Sequence, residues 1–133
     1  MITNANIKLS EGKNKESVFF TQGTVKKEND SFYIEYELDN NRYIIGISGG
    51  IITITRTAEE SYTMVFQKGQ AHSFDMAMPF GSLRMLLTPS KADFESSDSG
   101  INLALCYSLS LHGELKKEAQ SFELYVDCKY KNN

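Results

Sequence analysis

An alternation of apolar and polar residues with period two constrains this chain more than any other feature. Ile101, Leu103, Leu105, Tyr107, Leu109 and Leu111 alternate with Asn102, Ala104, Cys106, Ser108, Ser110 and His112. Phe122, Leu124, Val126, Cys128 and Tyr130 alternate with Glu123, Tyr125, Asp127 and Lys129. Successive side chains of an extended strand point to opposite faces, so each segment reads as a long strand with one face to bury. Phe32-Ile34-Tyr36-Leu38, Tyr43-Ile45-Ile47, Ile52-Ile54, Tyr62-Met64-Phe66, Phe74-Met76-Met78 and Leu83-Met85-Leu87 continue the pattern, with weaker strands around Ile7–Ser10 and Glu16–Lys26. Between them stand turn-forming groups: Glu28-Asn29-Asp30, Asp39-Asn40, Gly49-Gly50, Lys68-Gly69-Gln70, Pro79-Phe80-Gly81 and Ser97 to Gly100. No window carries a helical period beyond one turn over Glu114–Gln120. The expected architecture is all-β: an antiparallel up-and-down meander barrel of about 8–10 strands, or else a sandwich.

At 133 residues the chain has room for one core, so 1–133 is read as a single domain. A net charge of −3 without a run of either sign gives no footprint for nucleic acid and no polybasic patch for a membrane. The first fourteen residues are polar, and no apolar run approaches the ~20 residues of a spanning helix. The expected address is the cytoplasm.

Register follows from matching apolar faces across each hairpin. Two-residue turns at Asp39-Asn40 and Gly49-Gly50 pair Ile34 with Ile45, Tyr36 with Tyr43, Ile45 with Ile54 and Tyr43 with Arg56. They also set Glu37 opposite Arg42 on the outer face. The next loops pair Arg56 with Tyr62, Tyr62 with Met76, and Met76 with Met85. One inner row results, Tyr36–Tyr43–Arg56–Tyr62–Met76–Met85, in which Arg56 is the lone charge. Two readings of this row stand side by side. Arg56 lies across tyrosine faces and closes one end of a filled core. Alternatively, Arg56 and the tyrosine hydroxyls receive an anionic head while Met76 and Met85 line an apolar tail. Small barrels are usually filled by their own side chains, which favours the first.

Other motifs fail on context. Gly46-Ile47-Ser48-Gly49-Gly50 matches a hydrolase elbow, but a strand follows at once where that chemistry needs a helix. His72 and His112 lie on different strands, so no metal site and no general base is expected. The last hairpin, read with Leu105 opposite Cys128, turns Cys106 outward and Cys128 inward, which predicts two free thiols. No catalytic residue and no cofactor is assigned.

Ile52-Thr53-Ile54-Thr55-Arg56, Met64-x-Phe66-x-x-Gly69, Phe80-Gly81-x-Leu83, Thr88 and Gly100-x-x-Leu103-x-Leu105-x-Tyr107 resemble the YwiB-like proteins, uncharacterised bacterial barrels placed with the calycins. The resemblance runs from Ile52 to Tyr130, with Thr57 where that family usually has glycine. It implies a lipocalin-like barrel and no particular activity. The chain has no tryptophan, so the Gly-x-Trp signature of lipocalins is absent. The functional expectation is a non-enzymatic intracellular barrel that binds a small apolar or amphipathic ligand. Its alternative is a filled barrel serving as an interaction module, as monomer or homodimer.

Overall fold

The structure, a computed structural model, describes residues 1–112 and 119–131. Ten strands follow one another: β1 (Ile2–Glu11), β2 (Ser17–Glu28), β3 (Ser31–Leu38), β4 (Asn41–Ser48), β5 (Ile51–Thr57), β6 (Tyr62–Gln67), β7 (His72–Met78), β8 (Gly81–Ser97), β9 (Gly100–Leu111) and β10 (Gln120–Tyr130). All pairings are antiparallel between sequence neighbours, except that β1 also pairs with β10 and so bends the meander into a barrel. The remaining gap, between β6 and β7, is bridged at two points. Ser61 and Ala77 exchange backbone hydrogen bonds of 3.0 and 2.8 Å, and the Gln70 N–H donates to the Gln67 carbonyl at 3.0 Å. The barrel is thus nearly closed, with no helix among the described residues. Of the helical turn expected over Glu114–Gln120, positions 114–118 lie outside those residues, and Gln120 opens β10.

Tight turns fix the register of the first half. Asp39 and Asn40 have φ of 53° and 64°, and Gly49 and Gly50 have 59° and 78°, the paired left-handed conformations of a type I′ hairpin turn. From Ile34↔Ile45 through Tyr43↔Arg56 to Arg56↔Tyr62, the pairs are those the alternation predicts. Arg42 does stand opposite Glu37, but its ion partner is Glu35, two residues along the same face.

Two later hairpins depart from expectation. Pro79-Phe80 forms a two-residue turn with Met78 opposite Gly81, so Met76 faces Leu83 and Met85 faces Phe74. The expected Met76–Met85 pair is therefore slipped by two residues. In the last hairpin Leu105 faces Leu124, Tyr107 faces Phe122, and Cys128 faces Ile101, a slip of four. Even slips leave each side chain on its expected face, which is why alternation cannot detect them. β8 also runs on to Ser97, past a bulge between Pro89 and Lys91 that the alternation does not reveal.

Ile7, Ile34, Ile45, Ile52, Phe66, Leu87, Ile101, Leu105 and Val126 are at most 2% exposed, so the middle of the barrel is filled by its own side chains. Cys128 is buried among them while Cys106 is half-buried on the outer face, and both are free. Cys106 is expected to react with a thiol reagent in the native protein, and Cys128 only after unfolding. Equal immediate labelling would show that the two do not face opposite ways.

Burial, with a smaller push from Asp127, raises the Cys128 thiol to about 11 from an ordinary 9.0. Burial likewise raises the hydroxyls of Tyr36 and Tyr107. These groups ionise more readily once unfolded, so stability is full below pH 9 and falls as the pH rises toward 11. At about pH 10.5 the thiol alone is expected to remove about 2 kcal/mol. Urea midpoints compared at neutral and alkaline pH measure it, and a flat profile would contradict the burial.

Candidate functional site

Above the filled middle, one end of the barrel opens into a cleft of about 660 Å³. The ends of β5, β7 and β9 and the starts of β6 and β10 bring Arg56, Tyr62, Met64, Met76, Tyr107, Leu109, Phe122 and Leu124 to its wall. Tyr107 joins floor to rim: its ring meets Phe66 edge-on at 5.0 Å and stacks on Phe122 at 5.6 Å. Glu11, Lys13, Glu60 and Glu123 surround the mouth.

Arg56 points inward as its phase with Ile52 and Ile54 requires, and its side chain is 24% exposed. The guanidinium carbon lies 5.9 Å from the centre of the Tyr43 ring, which itself stacks on Tyr36 at 5.1 Å. One guanidinium nitrogen is 3.8 Å from a Glu60 carboxylate oxygen, a long contact for an ion pair. The Nε–H is buried and has no acceptor. Burial first, and then the neighbouring Tyr43, push the Tyr62 hydroxyl upward, while Arg56 pulls it the other way. Tyr62 therefore stays neutral and can donate a hydrogen bond through the ordinary pH range.

The expected row is thus divided by the structure. Arg56, Tyr62 and Met76 share the cleft, whereas Tyr36 and Tyr43 form a stacked backing behind Arg56. Met85 packs on the core opposite Phe74 and does not reach the cleft. Met64, Tyr107, Leu109 and Leu124 were not in that row. Their inward phase is readable in the sequence: Met64 lies one inward step along β6 from Tyr62, and the four-residue slip of the last hairpin hides the level of Tyr107, Leu109 and Leu124.

Elsewhere the chemistry is sparse. Ser48 is an exposed residue before the Gly49-Gly50 turn, and its Oγ accepts from Ser31 at 2.8 Å. His72 meets Gln67 at 3.1 Å. Ser73 Oγ and His112 Nδ1 are 3.1 Å apart on the surface, but neither lines the cleft. Among the described residues no three His, Cys, Asp or Glu side chains gather as metal ligands, and no helix is long and apolar enough to cross a membrane.

Comparison with known proteins places this barrel. A family described as "Domain of unknown function (DUF1934)" matches residues 2–124. The chain belongs to the DUF1934 family. In fold this DUF1934 chain is similar to the ywiB protein from Bacillus subtilis, whose crystal structure superposes with a TM-score of 0.75. The match covers 98% of this chain and 92% of that one at 14% identity, so it shows a shared barrel and nothing of activity. No curated protein matches the DUF1934 chain. The YwiB-like resemblance read between Ile52 and Tyr130 is borne out, and the barrel similarity extends over nearly the whole chain.

Proposed function

We propose that this protein is a non-enzymatic, cytoplasmic binder of a small amphipathic molecule, held head-first by Arg56 in the end cleft. The observation that carries the reading is the cleft itself. Its roughly 660 Å³ lies within the range of small-molecule sites, and Arg56 is the cation set deepest in its wall. Met64, Met76, Leu109 and Leu124 offer apolar surface to a tail, and thioether side chains adapt to irregular shapes. An arginine fork recognises a carboxylate or phosphate through paired donors, and the Nε–H of Arg56 is a donor with no partner in the protein. The filled middle limits the tail to a short or folded chain, because nothing long fits beneath Phe66 and Tyr107. Inward apolar and outward polar strand faces, the reverse of a membrane barrel, support a water-soluble setting.

Displacement of a fluorescent short-chain fatty acid, together with native mass spectrometry of gently purified protein, tests the reading. Saturable displacement by anionic amphiphiles, or a carried mass, is expected. Neither displacement nor a carried mass would leave the filled barrel as an interaction module.

A further inference from the structure

We propose that the end cleft takes a short zwitterion, its carboxylate on Arg56 and its ammonium on Glu11. The inference rests on the reading of Arg56 as the anion holder and adds a second anchor to it. Glu11 closes β1 in the inward phase of Ala5, Ile7 and Leu9, and it lines the same cleft as Arg56. Ladders hold it on both sides, opposite Leu124 of β10 and Ser17 of β2. The next residue, Gly12, donates its N–H to the Glu123 carbonyl at 3.2 Å. After burial and neighbouring tyrosines, the Glu11 carboxylate also pushes the hydroxyls of Tyr36 and Tyr107 upward, so its charge is felt inside the barrel end.

The other carboxylates of the cleft are already engaged. Glu60 makes the long contact with Arg56, and Glu123 accepts from the Tyr125 hydroxyl at 2.6 Å. Among the described residues, no side chain forms an ion pair with the Glu11 carboxylate, and Lys13, which shares the mouth, is no exception. Glu11, Glu60 and Glu123 against Arg56 and Lys13 leave the described wall net negative. Such a wall disfavours a plain anion and suits a ligand that carries its own cation.

The fold sets the two anchors apart. Arg56 stands on β5 and Glu11 on β1, with β4, β3 and β2 between them in the sheet, so they reach the cleft from different sides of the hoop. The charges of a fitting ligand therefore stand several atoms apart, as in an ω-amino acid, rather than on one carbon. The wall beside each anchor is apolar. Met64 lies one inward step from Tyr62, which faces Arg56, and Leu124 faces Glu11. Methylenes crossing the cleft cover these side chains and Met76, and they stay above the floor formed by Phe66 and Tyr107.

Isothermal titration with ω-amino acids of four to eight carbons, beside the fatty acid and the alkylammonium of equal length, tests it. At the best-fitting length the wild type is expected to bind the amino acid about tenfold more tightly than either singly charged chain, the worth of one added charge-assisted hydrogen bond. Glu11→Gln is expected to bring amino acid and fatty acid to within about twofold of each other. Its unfolding midpoint is expected to stay where it is, since the Glu11 side chain is exposed. The three-way comparison in the wild type needs no variant and decides the question even if this one misfolds. A fatty acid that binds through Arg56 as tightly as every amino acid overturns the zwitterion and leaves the Arg56 anion site standing. A preference for the amino acid that survives Glu11→Gln overturns Glu11 as its anchor. If no probe binds, or if Arg56→Ala changes no affinity, the Arg56 reading itself falls and this inference with it.

Discussion

Phe66→Ala is expected to destabilise the protein by about 3–5 kcal/mol, the cost of removing a buried aromatic ring and leaving a cavity. Phe66 is 0% exposed, lies opposite Ile52 on the neighbouring strand, and supports Tyr107 at the floor of the cleft. The surrounding isoleucines are branched and held by ladders on both sides, so they have little freedom to collapse into the void. Urea unfolding of the variant and the wild type gives the difference directly. A loss below about 1 kcal/mol would mean that the middle layer is loosely packed, against the burial described for it. The cleft would then extend deeper, and the limit placed on tail length would fall.

Arg56→Ala is expected to separate binding from stability. Its present partners are one aromatic face and one long ion pair, and its Nε–H has no acceptor, so the fold gains little from keeping it. The change in unfolding free energy is expected to lie within about 1 kcal/mol of zero. Affinity for an anionic amphiphile is expected to fall about 10–100-fold, the worth of charge-assisted hydrogen bonds. Isothermal titration with a short fatty acid, beside a urea melt, gives both numbers. A loss on the order of 3 kcal/mol in stability with unchanged affinity would instead make Arg56 a structural seal on the barrel end.

The sequence makes side-chain direction legible almost everywhere and axial level only in places. Where a turn has both central residues in the left-handed region, as at Asp39-Asn40 and Gly49-Gly50, chemistry pins the loop to two residues and the ladder follows. The Pro79-Phe80 turn has no such pair, and the connection from β9 to β10 is too long in sequence for its length to set the ladder. A slip of two or four then keeps apolar residues opposite apolar ones, and Met85 and Leu124 each shift level unnoticed. The cleft inherits this division. Arg56 and Tyr62 lie within the well-pinned half and are found together, while Tyr107 and Leu109 come from the half whose level was free. The outer part of β8 escapes for a different reason: Ser90-Lys91-Ala92-Asp93 offers no long apolar face, and the bulge at Pro89 breaks the phase.

The gap between β6 and β7 has a mechanical consequence. A barrel with every ladder complete has a fixed circumference, because widening it anywhere breaks a full row of hydrogen bonds. Here the hoop has a clasp. Near the cleft it is held by the Ser61–Ala77 pair and by Tyr62 tilted against Phe74 at 6.1 Å, and at the far end by the short Gln67–Gln70 turn. Girth at the Arg56 end is therefore set by two backbone hydrogen bonds and a ring contact rather than by a ladder. Widening that end would break these contacts alone and leave the nine strand pairings whole.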